Sequence, residues 1–452
     1  MTYLLGRHAI VVGAGISGLT TAKALSPYFS KVTVLERDAL PVTPIARRGT
    51  PQARQIHVLL RGGLDALIEF FPEFETELGL AGAVRVRVGS QSLLEMPGFD
   101  RFPRRDLGFD YLCLTRPLLE FVARRLVEQQ SNTSVKPRCR VTQFLGSPDR
   151  SRVTGVRYDD EGGRGIEVAA DFIVDASSRG TLTVELLDKL GLPTPQETEI
   201  GIDLRYATAT FRIPPSAPHD WRAVLHRPAA QSGRGGLLVP VENNCWQVNL
   251  TAMHGEPVPE NLGDFIAFAR TLRTPTIHDA IKDAVPVGAI YRFAFPCSIR
   301  RHFEALDHFP DHLLPLGDVI CRFNPAFGQG MSVAAQEAVA LRRLIEARIS
   351  DANPLQGLAR PFFAAVQDLL AAPWATAESD FVHEKTRGRR PNDFQQRLNF
   401  TAALLRVAAE DATVHQVMSE VSHLVKPSSA LRGPQIVSRL AAQLAASPSP
   451  RC

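Results

Sequence analysis

No stretch of the 452-residue chain approaches the roughly 18 uninterrupted apolar residues that mark a membrane-spanning helix, so no transmembrane segment is expected. Neither sign of charge dominates. The 51 Lys and Arg against 47 Asp and Glu leave +4, too balanced to argue for nucleic acid or a membrane surface as partner. Cysteine is sparse and scattered: Cys113, Cys139, Cys245, Cys297, Cys321 and Cys452 contain no Cys-x-x-Cys pair. That spacing argues against a zinc site and a redox-active disulfide, and it fits a reduced cytosol. No internal repeat stands out. A glycine-rich motif begins so near Met1 that no cleavable signal peptide is expected before it, and a cytoplasmic location is expected. The 44% hydrophobic and 22% charged residues are ordinary for a soluble globular chain, and 452 residues exceed one core, so two or three cooperating units are expected.

The richest signal runs from residue 8 to residue 38. Ala9, Ile10, Val11 and Val12 read as a buried parallel strand, broken at Gly13, Gly15 and Gly18 and followed by a helix to Leu25. Gly13 permits a tight turn, Gly15 lets a diphosphate approach the backbone, and Gly18 lets helix and strand pack closely. The helix start, at Ile16 and Ser17, offers free amides and a positive dipole end to an anion. A second strand over 32–35 ends in Glu36, about 20 residues beyond the glycines, where an acid grips a ribose diol. Glycines in any turn match such a motif, but strand, turn, helix, strand and acid in order point to a dinucleotide. Glu36 favours the unphosphorylated ribose of FAD or NAD, although Arg37 beside it blurs the distinction.

A loop rich in Pro and Arg follows, with Arg47, Arg48, Gly49, Thr50, Pro51, Gln52, Arg54 and His57, and then a helix over 61–71. The loop is either a solvated charged segment or a cofactor-side segment, since ligands sit at the carboxyl ends of such strands. Residues 85–110 read as a short hairpin with a loop. Thr115 and Pro117 open a helix to about Gln129, with Thr115 as its cap; Arg116 there is either a diphosphate contact or a surface residue. Short strands are expected over 139–144, where Val141 is a candidate cofactor contact, and over 153–158, 165–169 and 172–174. The last ends in Asp175, expected on the cofactor side.

Between about 200 and 300 the periodicity changes to two, at 203–213, 235–240, 245–252 and 291–296, which reads as an inserted antiparallel sheet able to roof a pocket. Phe211, Trp246, Phe293 and Phe295 read as sheet packing. The chain then returns to the first fold at 312–318, ending in Gly317 and Asp318. The loop 323–330, with Pro325, Gly328, Gln329 and Gly330, enters a long helix at Met331. Two glycine-rich, helix-opening turns suit a ligand with two electron-rich regions, such as FAD. Beyond Pro354 the chain reads as helical, with an amphipathic stripe over 399–425 and a frayed end from Ser447. The expected division is 1–200 and 306–350 for an FAD-binding domain, 201–305 for a substrate sheet and 351–452 for a helical C-terminal region.

These residues carry a family likeness. The chain resembles the FAD-dependent monooxygenases of the p-hydroxybenzoate hydroxylase fold. Three fingerprints stand in order: Gly13-Ala14-Gly15-Ile16-Ser17-Gly18 with Glu36, then 175–180, then Gly317-Asp318 with 325–331. It looks nearest to the bacterial squalene-epoxidase-like branch with its polyether polyene epoxidases, through Arg48-Gly49-x-Pro51-Gln52-x-Arg54, His57, the stretch 114–120 and Tyr206-Ala207-Thr208. The resemblance implies an α/β fold: a Rossmann-like FAD-binding domain with an inserted antiparallel β-sheet substrate domain and a helical C-terminus. It places Glu36 on the adenosine ribose, Arg116 on the diphosphate or ribityl region and Asp318 on the ribityl hydroxyls. Pro325 and the backbone of Gly328, Gln329, Gly330 and Met331 would cradle the isoalloxazine. NADPH or NADH would reduce FAD, dioxygen would form a flavin hydroperoxide, and one oxygen would pass to a hydrophobic alkene or aromatic, by epoxidation or hydroxylation. Arg54 and His57 are the candidates for a flavin-side or proton-handling role, with local pairing as the alternative for His57.

The middle fingerprint departs from that of aromatic hydroxylases. It reads Asp175-Ala176-Ser177-Ser178-Arg179-Gly180 where Asp-Gly is usual, which leaves room for a separate flavin reductase as electron donor. A flavin halogenase would carry Trp-x-Trp-x-x-Ile-Pro, whereas Trp221, Trp246 and Trp374 stand apart. A geranylgeranyl-reductase-like enzyme acting on C=C bonds, and a non-catalytic flavin redox module, are the remaining alternatives.

Overall fold

Strands Gly6–Val12 and Phe29–Leu35 run in parallel, with Ile10 opposite Thr33 and Val12 opposite Leu35, in a computed structural model that describes residues 4–446. The frayed end expected from Ser447, and Cys452, lie outside the described residues. The first strand is buried on both faces, which is why its apolar run is continuous rather than alternating. Ala9 and Val11 pack toward helices Ile16–Leu25 and Gly330–Arg348, while Ile10 and Val12 pack toward Val141, Phe144 and Val156 of a small antiparallel sheet. Five parallel strands make the central sheet in the order Leu313–Pro315, Phe172–Asp175, Gly6–Val12, Phe29–Leu35, Thr133–Lys136. The strand at 313–315 thus returns to the sheet after an excursion of more than a hundred residues. The architecture is α/β, as expected.

Five strands of that excursion, joined by Ser92–Glu95 and Cys321–Arg322 from outside it, form a seven-stranded sheet, ordered Cys321–Arg322, Pro286–Arg301, Glu197–Arg212, Cys245–Ala252, Gly235–Val241, Ala223–His226, Ser92–Glu95. Its two faces differ, as period two requires. Ala207, Ala209 and Phe211 pair with Leu250, Val248 and Trp246 and bury against Phe265, Ile277 and Ile281 of two covering helices. Tyr206, Thr208, Asn249 and Thr251 lie on the opposite face, toward the parallel sheet. Phe211 stacks near Phe265, Trp246 near Trp221 and Phe293 near Tyr206, which is sheet packing.

Two local expectations change and a third is extended. The ends of 85–110 pair antiparallel as a hairpin, Val84–Arg87 with Asp110–Leu114, but the long loop between them carries Ser92–Glu95 into the large sheet beside Ala223–His226. The buried Glu95 carboxylate finds its partners there, Thr276 Oγ1 at 2.5 Å and His226 Nδ1 at 3.0 Å, and neither is local in sequence. Thr115 occupies the cap position of helix Arg116–Glu128, but its side chain makes no capping bond and donates instead to Glu242. The stripe over 399–425 is two helices, Phe394–Glu410 and Ala412–Ser422. Asp411 separates them because its Oδ1 accepts from the amides of Thr413 and Val414, capping the second. Five cysteines are buried and free, no described group of His, Cys, Asp and Glu can hold a metal, and no described helix is long and apolar enough to cross a membrane.

Candidate functional site

The glycine turn opens onto a cleft of about 470 Å³ at the carboxyl ends of the parallel strands. Its glycines answer to different constraints. Gly13 has φ +100°, and a Cβ there would lie 2.7 Å from the Ala176 carbonyl oxygen. A Cβ on Gly18 would lie 1.8 Å from the Gly13 carbonyl oxygen, so helix and turn touch only because it is absent. Gly18 therefore sits behind the cleft. At Gly15 a Cβ would meet only Arg116 Nη2, at 3.7 Å. The packing of the protein itself does not require a glycine at 15. No side chain caps helix Ile16–Leu25, so its first turn remains open to an anion.

A charge network closes one end of this cleft. Glu36, 4% exposed, accepts from the Ala14 amide at 2.8 Å and the Asp38 amide at 3.0 Å, fixing the second strand to the glycine turn. Arg47 lies 3.0 Å from Glu36, 3.0 Å from Asp38 and 3.2 Å from Glu120. Glu120 in turn accepts from Arg116 Nε at 2.9 Å and Nη2 at 2.7 Å. Two arginines and three carboxylates thus hold one another, with the arginines drawing Glu120 below its usual range against its burial. Arg37 lines the same end and donates to the Gly49 carbonyl at 3.3 Å.

At the other end the polar atoms lack protein partners. Asp318 lines the cleft, and burial pushes its carboxyl upward against the pull of Arg322 and Arg116. Beneath it Glu337 is fully buried and accepts from the Gly317 amide at 2.6 Å, which secures the turn that presents Asp318; burial pushes it up to about 8. Its Oε1, together with Ser17 Oγ and Gln329 Oε1, is buried without a hydrogen-bond partner in the structure. Native interiors rarely leave such atoms orphaned, so a ligand with hydroxyls and amide-like edges fits this end. The whole donor set suits FAD: an anion-binding helix start, an acid at the strand end and unpartnered acceptors further in.

A second, smaller cavity of about 140 Å³ lies against the polar face of the large sheet. Tyr206 and Asn249 come from the sheet, Arg227 from the end of strand Ala223–His226, and Pro325 and Phe327 from the turn before the long helix. Asp380 and His383 come from the C-terminal region. Asn324 Oδ1 accepts from the Ala326 amide at 3.0 Å and its Nδ2 donates to Asp380 Oδ2 at 2.9 Å, tying that turn to the C-terminal region. Burial pushes Asp380 up to about 7.

The site residues named from sequence distribute unevenly. Gly13, Gly15, Ile16, Ser17, Glu36, Arg37, Arg116, Val141, Asp318, Gly330 and Met331 line the first cleft. Pro325 lines the second cavity. Gly328, with φ +68°, ends the turn between the two, and Gln329 is buried at the start of the long helix. Gly317 packs against Ser17 behind Asp318. Arg48 is exposed outside the lining, and its neighbour Arg47 occupies the network. Asp175 is fully buried and braces the middle turn: its oxygens accept from the Ser177 amide at 3.0 Å and Thr183 Oγ1 at 2.6 Å, while Ala176, Ser177, Ser178 and Arg179 face the cleft.

Arg54 and His57 line neither cavity. Arg54 is exposed and stacks over Tyr291 at 4.6 Å; His57 Nδ1 pairs with the Gln55 carbonyl at 2.9 Å, the local pairing held as the alternative. Burial and the Arg116 charge push His57 down to about 4, leaving it neutral. Arg227, Asp380 and His383 were not singled out from sequence, since they belong to no motif. Tyr206, within Tyr206-Ala207-Thr208, and Pro325, in the loop 323–330, did carry a signal.

Comparison with known proteins agrees with this geometry. The chain is 33% identical over 353 residues to the protein Rv3254 of Mycobacterium tuberculosis, a match covering 76% of this chain and 74% of that one. Among solved structures it is similar to the flavin-dependent brominase Bmp2 (TM-score 0.65, 14% identity, 98% of each chain). It is similar also to p-nitrophenol 4-monooxygenase PnpA of Pseudomonas putida (TM-score 0.63, 16% identity, 94% of this chain and 99% of that one). A third is PqsL of Pseudomonas aeruginosa, a probable FAD-dependent monooxygenase (TM-score 0.61, 15% identity, 87% and 100%). At these identities the structures share the fold. The family match runs over residues 7–358, from the first strand through the glycine turn, the large sheet and the returning Asp318 segment, and by it the chain belongs to the FAD binding domain family.

Proposed function

We propose that this chain is an FAD-dependent monooxygenase that transfers one oxygen atom from dioxygen to a hydrophobic alkene or aromatic held in the second cavity. One observation carries the reading. The segment 317–331 lines both spaces: Asp318, Gly330 and Met331 face the first cleft, and Pro325 and Phe327 face the second. A cofactor laid along the first cleft therefore ends beside a chamber roofed by the large sheet.

FAD, when bound, supplies the electron transfer and the activation of dioxygen. The chain's own residues hold and exclude. The first turn of helix Ile16–Leu25 receives the diphosphate, Glu36 the adenosine ribose and Asp318 the ribityl hydroxyls. The backbone of 325–331 supports the isoalloxazine edge. The sheet face bearing Tyr206 and Asn249 orients the substrate and keeps water away from it. NADPH or NADH is the proposed reductant, delivered directly or through a separate flavin reductase, because the middle fingerprint lacks the usual Asp-Gly.

The test is a visible spectrum of the purified protein, followed by anaerobic addition of NADPH or NADH and then by air. Flavin bands that bleach and recover with release of peroxide support the reading and justify screening alkenes and phenols. Absence of flavin bands overturns it. Bound flavin that ignores both nicotinamides moves the electron source to a reductase partner. Turnover of a C=C bond without oxygen consumption identifies a reductase of alkenes instead.

A further inference from the structure

Arg227 carries its charge into the second cavity with no ion pair to it among the described residues. It is partly buried and lies 4.9 Å over the ring of Phe327, in the turn that also bears Pro325. Burial works against its charge, and the one group that offsets this is Asp380. Asp380 is a weak counter-ion, because burial pushes it up to about 7 and its Oδ2 is already committed to Asn324.

The other titratable groups around the cavity are occupied or neutral. His226 Nδ1 sits 3.0 Å from Glu95 Oε2 and 2.8 Å from Thr274 Oγ1, which uses the Glu95 charge locally. His383 Nδ1 pairs with the Ala230 carbonyl at 3.1 Å and is pushed down by burial; His254, edge-on to it, is pushed down as well. The rest of the wall mixes neutral polar groups, Tyr206, Asn249, Thr251 and Asn324, with apolar ones such as Leu204 and Met253, and brings no further charge. A cation withdrawn from water without a firm partner is costly to the fold. Stacking on an aromatic face returns only part of that cost.

Resting on the reading of this cavity as the substrate chamber, we propose that it takes a molecule with an apolar body and an anionic oxygen group, a carboxylate, phenolate or enolate, paired with Arg227. The guanidinium fork matches such a group with two parallel hydrogen bonds. The cavity volume suits one ring at this end of the ligand, since an apolar cavity of about 150 Å³ accepts benzene. Pairing with Arg227 sets the anionic end near the Phe327 turn. A pure hydrocarbon would leave the arginine unpaired.

The experiment compares the binding of 4-ethylbenzoate and 4-ethylbenzamide to the full-length protein by calorimetry, with the flavin-to-protein ratio recorded on the same preparation. The expected result is a preference for the anion of about tenfold or more, in line with a charge-assisted hydrogen bond. Arg227→Gln should abolish the preference and Arg227→Lys should keep part of it, with far-UV circular dichroism confirming the fold of each. Asp380→Asn should bind the anion at least as tightly as the parent. Equal affinities for the two probes, binding of neither, or a preference that survives in Arg227→Gln overturns the proposal. A preparation that discriminates the probes but never consumes dioxygen removes the monooxygenase reading and leaves this one standing.

Discussion

The two cavities share a loop but treat charge in opposite ways. In the first cleft the protein neutralises itself: Arg47 touches three carboxylates and Arg116 is held by Glu120. The cleft's lining further offers the open start of helix Ile16–Leu25 and Ser17, whose Oγ has no partner in the structure. In the second cavity Arg227 has no ion pair among the described residues, and the one carboxylate that offsets its burial, Asp380, is itself pushed up to about 7. The comparison separates two strategies. On the readings proposed above, a nucleotide would be gripped by geometry fixed before it arrives, whereas a substrate would be selected by a charge that lacks an answer until it binds.

The largest effect should come from breaking the self-neutralisation. Arg47→Ala leaves three clustered, mostly buried carboxylates without their shared cation, and a loss on the order of 3–5 kcal/mol is expected in urea unfolding. Arg227→Ala, by contrast, removes an already unpaired charge and should cost far less.

Next comes a contrast within the glycine turn. Gly18→Ala forces a methyl against the Gly13 carbonyl and should destabilise by about 3 kcal/mol, the upper end for overpacking. Gly15→Ala has open space and should melt like the parent while losing FAD affinity in a flavin titration. If both variants melt alike, the separation of packing glycine from ligand glycine fails.

Glu337 tests the inner end of the cleft through pH. Its folded value of about 8 lies above the ordinary 4.5, so the folded chain holds this proton more tightly than the unfolded one. That contribution is complete below about pH 4.5 and is lost as the pH rises through about 8. Glu337→Gln should flatten this part of the stability profile, measured as the urea midpoint from pH 5 to 9. It should also leave the Gly317 turn supported, because an amide oxygen can still accept from it.

The smallest effect is assigned to His57, which the structure sets in neither cavity. Its value of about 4 lies below the ordinary 6.5, so its contribution is complete above about pH 6.5 and is lost as the pH falls through about 4. His57→Gln should soften the acid limb of the unfolding profile and leave FAD affinity within about twofold of the parent, a change below about 0.4 kcal/mol. A large loss of flavin would return His57 to the cofactor side.

The amino-acid order alone was enough for the nucleotide half. Strand, glycine turn, helix and Glu36 lie within 31 contiguous residues, from 8 to 38, and each follows from local rules about φ, close approach and periodicity. The alternation in 203–213 likewise announced a sheet with one apolar face. Asp175 misled because an acid after a buried strand satisfies the same local pattern whether it faces a ligand or braces its own turn. Arg54 and His57 misled because nearness to Glu36 in sequence is not nearness to the cavity. The side chain of Thr115 and the strand Ser92–Glu95 were out of reach of local rules because Glu242, His226 and Thr276, the partners of Thr115 and Glu95, are more than a hundred residues away.

How the chamber is assembled lay beyond local rules. Tyr206, Arg227, Asn324 and Asp380 share no motif, and their meeting depends on how the large sheet bends back over the loop before the long helix. Short-range sterics and hydrogen bonding decide a turn wherever it occurs, so they can be read from consecutive residues. The charge state of Arg227 and Asp380 depends instead on what excludes water from them and on which groups lie near. Those are properties of packing between distant segments, and only the folded chain supplies them.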